Sequence, residues 1–121
     1  VQIGTAYLFT PEANVSAIHR KALAGAHDNS TALTNVFTGR PARGIINRMV
    51  REVGPITSEA PAFPLAGGAL APLKAAAEAK GSGDFTALWS GQAAALAQEM
   101  PAKQLTETLA REALARMKRQ S

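Results

Sequence analysis

Nine residues at the start of the chain constrain its fold more than any others. In Val1-Gln2-Ile3-Gly4-Thr5-Ala6-Tyr7-Leu8-Phe9, apolar side chains stand at Val1, Ile3, Ala6, Tyr7, Leu8 and Phe9. A near-continuous apolar run of this kind is the pattern of a strand buried on both faces, and such strands belong to parallel sheets covered by helices. A parallel strand needs neighbours, and the sequence offers none of comparable character. Thr31-Ala32-Leu33-Thr34-Asn35-Val36-Phe37 alternates weakly and is expected to form a short edge strand or a loop that pairs locally. The run begins without an initiator methionine, a basic n-region or a cleavage-site pattern, so the sequence reads as a chain that starts mid-fold.

The remainder reads as helix with marked stops. Thr10-Pro11-Glu12 places a capping hydroxyl, a proline at the first helical position and an early carboxylate in the order that opens a helix, with Val15, Ile18 and Ala22 on one face and an end near Gly25. After the turn Gly39-Arg40-Pro41, the positions Ile45, Ile46, Met49, Val50 and Val53 keep helical spacing until Gly54-Pro55. A third helix is predicted over 65–80, with Pro72 delaying its start and Gly81-Ser82-Gly83 closing it. Beyond Met100-Pro101, the residues Leu105, Leu109, Ala113 and Met117 mark a last helix, with Lys118 and Arg119 at its negative end. No fixed period relates these segments.

Composition narrows the chemistry. The 121 residues are 46% hydrophobic and 18% charged, too apolar for disorder. Zero cysteines exclude disulfide frameworks, thiol nucleophiles and Cys-ligated metal centres, and suit a reducing or indifferent compartment. His19 and His27 have no acidic partners at ligand spacing, so no metal site is expected. The most apolar stretch, 63–79, is broken by Pro64, Gly67, Gly68 and Pro72 and carries Lys74 and Glu78, whereas a membrane span needs about 20 continuous apolar residues.

Gly4-Thr5 is the first candidate site. A buried strand ending there, soon followed by a helix, exposes backbone N–H groups beside a residue small enough for an anion to approach. Taken alone, the dipeptide fits a tight bend where a strand leaves the core better than it fits phosphate binding.

A wider pattern adds to this. The opening run, then Pro11-Glu12-Ala13, His19-Arg20, Thr31-Ala32-Leu33-Thr34, Phe37-Thr38-Gly39-Arg40-Pro41-Ala42-Arg43-Gly44, Asn47-Arg48, Pro61-Ala62-Phe63-Pro64-Leu65 and Leu88-Trp89-Ser90-Gly91-Gln92 resemble, in order and separation, the C-terminal third of the nitronate monooxygenases, formerly called 2-nitropropane dioxygenases. The resemblance runs over nearly the whole chain. It implies an α/β fold in which this chain is the C-terminal part of a TIM (β/α)8 barrel: residues 1–27 as the last βα unit with its phosphate-binding turn, and 28–121 as a mainly α-helical extension, together one incomplete domain. It further implies a cytoplasmic, FMN-dependent enzyme that oxidises alkyl nitronates with O2 to carbonyl compounds and nitrite, without a metal. By that resemblance Gln2, Ile3, Gly4 and Thr5 contact the FMN phosphate. The catalytic histidine of the family lies upstream of the matched region, so no catalytic residue is expected in this chain, and the remainder of the barrel is its required partner.

Three further features carry weaker expectations. Trp89 and Gln92, around Ser90-Gly91, either border a substrate entrance or belong to a late loop that Trp89 anchors, the second reading being favoured. His19 and His27 are expected to be structural or solvated. The charge of +4 and a pI of about 10.0 raise the question of nucleic acid, with Arg40, Arg43, Arg48 and Arg51 as the candidate surface. Glu52 and Glu59 follow closely, no aromatics interleave, and the arginines fall on more than one helical face, so a solvated surface with structural ion pairs is preferred and no nucleic-acid partner is expected. The alternatives kept open are an FMN-dependent enoyl reductase with the same type of barrel and a small basic helical nucleic-acid-binding domain. Nitronates are anions that positive charge would steer, but the sequence does not place these arginines near a site.

Overall fold

A computed structural model describes residues 2–119. Four α-helices, α1 (Ala17–Ala24), α2 (Arg48–Glu52), α3 (Ala66–Glu78) and α4 (Ala102–Arg119), and two strands, β1 (Thr31–Thr34) and β2 (Ala42–Ile45), account for its main elements. Short 3-10 helices occupy Thr5–Phe9 and Ala94–Leu96.

The opening run is not a strand. Val1 lies outside the described residues, residues 2–4 belong to no regular element, and Thr5–Phe9 coil into a 3-10 helix whose bonds are local: the Tyr7 N–H donates to the Gly4 carbonyl and the Thr10 N–H to the Tyr7 carbonyl. An unbroken apolar run does not by itself distinguish strand from helix, and a strand without a ladder leaves its backbone groups unpaired. Tyr7, Leu8 and Phe9 are half-buried, so the run still packs inward.

Helix α1 starts later than Thr10-Pro11-Glu12 suggests. Ser16 accepts from the His19 N–H as its N-cap, and residues 11–13 form a turn, with Gly25 closing the helix where expected. Glu12 serves a distant helix instead: both its carboxylate oxygens lie 3.1 Å from the Ala102 N–H at the start of α4. Tyr7 joins the same contact, its hydroxyl 2.6 Å from Thr106 Oγ1. The single Thr106 hydroxyl hydrogen goes to the Ala102 carbonyl, so Tyr7 is the donor.

Residues 31–34 do pair locally, antiparallel to β2, in the register Thr31↔Ile45 to Thr34↔Ala42. That places Ile45 in a strand and Ile46 just after it, where the spacing suggested helix, and confines α2 to five residues. The cause is non-local: the Ile45 N–H reaches the Leu88 carbonyl at 2.8 Å and the Ile46 N–H the Ser30 carbonyl at 2.9 Å. The stretch read as a helical extension therefore contains a β-hairpin, with Trp89 bridged to Gly44 along the free edge of β2. Between the strands Gly39 takes φ +87°, and a Cβ there would lie 2.5 Å from the backbone of Pro61 and Phe63. Only glycine fits that crossing.

Helix α3 runs through Pro72, which interrupts it internally and does not set its start. Pro72 and Gly68 are both exposed, so water can satisfy the Gly68 carbonyl that the ring leaves without an N–H. The helix closes in a Schellman arrangement, Ser82 N–H to the Ala77 carbonyl and Gly81 N–H to the Glu78 carbonyl, both 2.9 Å. Helix α4 matches its predicted span and buries Leu105, while Leu114 and Met117 are exposed.

One buried cluster joins Val36, Phe37 and Val50, flanked by Ile46, Met49 and Leu70, while Leu23, Leu88 and Leu105 are buried apart from it. Trp89 meets Phe37 edge-on, ring centroids 5.8 Å apart at 90°. Buried amides and hydroxyls brace what so few apolar residues cannot. Thr34, fully buried, donates to the Pro55 carbonyl at 2.7 Å, and Asn35 both donates to and accepts from the backbone of Thr57. Asn47 is 6% exposed and uses three of its valences, its Nδ2 donating to the Gly83 and Thr86 carbonyls, each at 2.8 Å, and its Oδ1 capping α2 through the Val50 N–H.

Two predictions follow from these anchors. Asn47→Ala should lower the free energy of unfolding by about 3 kcal/mol in denaturant titration, since it strips a cap and leaves two carbonyls unpaired; a loss no larger than that of an exposed-site variant would contradict the bracing role. Glu12→Ala should cost about 1 kcal/mol and accelerate hydrogen exchange in the first turn of α4, whereas Glu12→Gln, which keeps an acceptor oxygen, should leave that exchange slow.

Candidate functional site

Thr5 is the point at which the two sequence-predicted segments meet. Its hydroxyl oxygen accepts the Gly91 N–H at 2.8 Å, joining residues 86 positions apart. Having accepted, the hydroxyl still carries its hydrogen to donate outward. Gly4 precedes it with φ −109°, ordinary for any residue, and a Cβ built on Gly4 meets nothing within 4 Å. The space over Gly4 is therefore open, and glycine is not required there by its backbone. In a 3-10 helix the first N–H groups, here those of Thr5 and Ala6, lack acceptors within the helix.

Two hollows border this point. One, about 420 Å³, is lined by Gln2, Ile3, Gly4 and Thr5 on one side and by Gln92 and Leu96 on the other. The second, about 610 Å³, lies against Gly4, Thr5 and Leu8 and is walled by Arg43, Trp89 and Ser90. The four opening residues and the Trp89-to-Gln92 turn thus share one region. Gln2, Ile3, Gly4 and Gln92 are exposed, and Thr5 and Trp89 half-buried. The Trp89 ring meets Phe37 edge-on, and Trp89 also lines the second hollow. A third hollow, about 590 Å³, between α1 and the segment 45–47, contains none of the residues expected to meet the flavin or the substrate.

The arginines do not form one surface. Arg40 stacks over the Phe63 ring at 4.3 Å, and Arg43 donates to the Thr31 hydroxyl at 3.1 Å. Arg48 pairs with Glu52 at 2.9 Å and lies 5.7 Å from the Phe85 ring centroid, and Arg51 is exposed in the third hollow. The hydrogen bond and charge of Glu52 hold the Arg48 guanidinium above its ordinary pKa. Arg43 alone reaches the wall of the hollow beside Gly4 and Thr5, a placement the sequence does not supply.

Two residues outside the predicted set brace this region from α1. His19 Nε2 lies 2.9 Å from the Trp89 carbonyl, which can only accept, so Nε2 carries the hydrogen. Arg20 donates to the carbonyls of Ala13 at 2.7 Å, Thr10 at 3.0 Å and Leu8 at 3.4 Å. His27, by contrast, is exposed, and its backbone N–H donates to Ser30 Oγ. Nothing in the sequence pattern signals the His19 and Arg20 contacts, whose partners are set by the fold. Among the described residues no cluster of metal-ligating side chains occurs, and no helix is long and apolar enough to cross a membrane.

A family model described as nitronate monooxygenase matches residues 1–112. A nitronate monooxygenase of Pseudomonas aeruginosa is 44% identical over 113 residues, which is 93% of this chain and 32% of that protein. A probable nitronate monooxygenase of Staphylococcus saprophyticus is 36% identical over 113 residues, again 93% of this chain and 32% of the relative. Among solved structures, nitroalkane oxidase from Streptomyces ansochromogenes superposes with a TM-score of 0.85 at 40% identity, over 99% of this chain and 34% of that one. A FabK variant from Thermotoga maritima superposes with a TM-score of 0.65 at 22% identity over 98% of this chain, a likeness of fold. The chain spans about a third of the length of the relatives it matches, at 32% and 34%. With the family model running over 1–112 and every one of these sequence relatives carrying the same description, the chain belongs to the nitronate monooxygenase family.

Proposed function

We propose that this chain is the C-terminal portion of a cytoplasmic FMN-dependent nitronate monooxygenase, which oxidises alkyl nitronates with O2 to carbonyl compounds and nitrite. In that reading residues 2–4 complete the last strand of a (β/α)8 barrel when neighbouring strands supply the ladder, α1 covers it, and the hairpin with α2, α3 and α4 extends from the barrel. The observation that carries the proposal is the bond from the Gly91 N–H to Thr5 Oγ1, which gathers both predicted segments around an open, glycine-lined space in a chain of this family.

The donor set fits a phosphate. The backbone N–H groups of Thr5 and Ala6 and the hydroxyl hydrogen of Thr5 offer short, directional bonds to an anion, and the bare Cα of Gly4 permits close approach. Gln2 and Ile3 line the same hollow. The flavin, when bound, supplies the redox chemistry, and the task of these residues is to fix its phosphate and so its position. Gln92 borders one of the two hollows where a small anion would enter and Trp89 the other, to which Arg43 adds positive charge. None of them is assigned a proton-transfer role.

Identity of 44% to a nitronate monooxygenase favours this reading over the enoyl reductase, and the dispersal of the four arginines favours it over a nucleic-acid-binding surface. Gly4→Val in the full-length enzyme decides the cofactor site. The backbone at φ −109° suits any residue and a Cβ at Gly4 meets no atom of this chain, so flavin content should fall sharply while the circular dichroism stays that of the wild type. Absorbance of the purified variant near the flavin bands measures this, and an unchanged flavin-to-protein ratio would overturn the proposal.

A further inference from the structure

We infer that His19 and Arg20, consecutive residues of α1, are positioning residues for the phosphate cradle: together they clamp its two walls to the helix behind it. The inference rests on the flavin-phosphate reading above and adds to it a pair of residues that touch neither cofactor nor substrate.

The two walls come from segments far apart in sequence, the Thr5–Phe9 helix and the turn at 89–91, and meet through the bond from the Gly91 N–H to Thr5 Oγ1. That single neutral bond does not fix the orientation of either wall. His19 holds one of them: its Nε2 hydrogen meets the Trp89 carbonyl at 2.9 Å, two residues before Gly91. Arg20 holds the other. Its guanidinium fork gathers the carbonyls of Leu8, Thr10 and Ala13, and Thr10 in turn closes the 3-10 helix through its own N–H and hydroxyl, both on the Tyr7 carbonyl. The helix that begins at Thr5 is thereby pinned at its far end.

The chemistry of the two side chains matches this task. Arg20 makes its three bonds to carbonyls and is half-buried, an arrangement in which a planar, permanently charged fork outperforms a lysine. His19 needs only one hydrogen at Nε2, which a glutamine amide also provides. Because one helix carries both residues in sequence, the distance between the walls is set by adjacent positions on a rigid element.

The test uses the full-length protein and FMN itself, with the dissociation constant from flavin fluorescence quenching and the 31P chemical shift of the bound FMN phosphate as readouts. His19→Ala and Arg20→Lys should each weaken FMN binding on the order of tenfold and shift the 31P resonance. His19→Gln should restore both values, which a role in packing alone would not produce, and His27→Ala should change neither. Wild-type affinity and an unmoved 31P signal in His19→Ala and Arg20→Lys, with Gly4→Val still losing flavin, would overturn the clamp and leave the cradle standing. If Gly4→Val also keeps its flavin, the cradle reading fails and takes the clamp with it. Should Arg20→Lys fold poorly by circular dichroism, the contrast between His19→Ala and His19→Gln decides.

Discussion

The buried amide of Asn47 ties the start of α2 to the loop at 83–86, two parts of this chain far apart in sequence. Its oxygen starts α2, and its two hydrogens secure the loop at 83–86, which in turn leads to the segment running beside β2. With a core centred on Val36, Phe37 and Val50, apolar burial alone leaves such loops weakly fixed. Side-chain bonds to backbone carbonyls do that work repeatedly, at Thr34, Asn35, Asn47 and Arg20. Each replaces a ladder bond with a directional one, and each requires its own residue type. The position of the Trp89-to-Gln92 turn, and hence of one wall of the candidate site, descends from this bracing.

Electrostatics play a smaller part. The ion pairs Arg48 with Glu52 and Lys103 with Glu107 are exposed and lie one turn apart on their helices, a class that contributes little to stability. The more consequential charges are those set against backbone: Glu12 at the start of α4, and Arg20 over three carbonyls. Positive charge at Arg43 reaches the hollow near Thr5, whereas Arg40, Arg48 and Arg51 face elsewhere.

Features with local causes were readable from sequence. Gly81 ends α3 because its own backbone takes φ +74°, which favours glycine, and the Leu105 spacing marks α4 because the period repeats within one element. Gly4 and Thr5 could be singled out by residue type and by family resemblance. The failures share a physical reason. Ile45 and Ile46 have helical spacing but are drawn into extended pairing by Leu88 and Ser30. The opening apolar run coils into a 3-10 helix because its burial pattern is silent about backbone pairing. Glu12 looks like a local cap and is a cap, for a helix 90 positions away. His19 and Arg20 stand in a block that carries the family resemblance, yet their partners are not readable there, since the acceptors are carbonyls that any residue could present.

The bonds that join the first dozen residues to the turn at Gly91 and to the last helix also fix an order of events during synthesis. Thr5 waits for Gly91, Glu12 for Ala102, and Tyr7 for Thr106, so the opening segment emerges from the ribosome well before these partners exist. Such long-range closures are slow and leave apolar residues exposed in the interval. On this chain, the region around Thr5 can acquire its final shape only once the residues through Thr106 have been made, and a ligand that depends on that shape must be loaded afterwards.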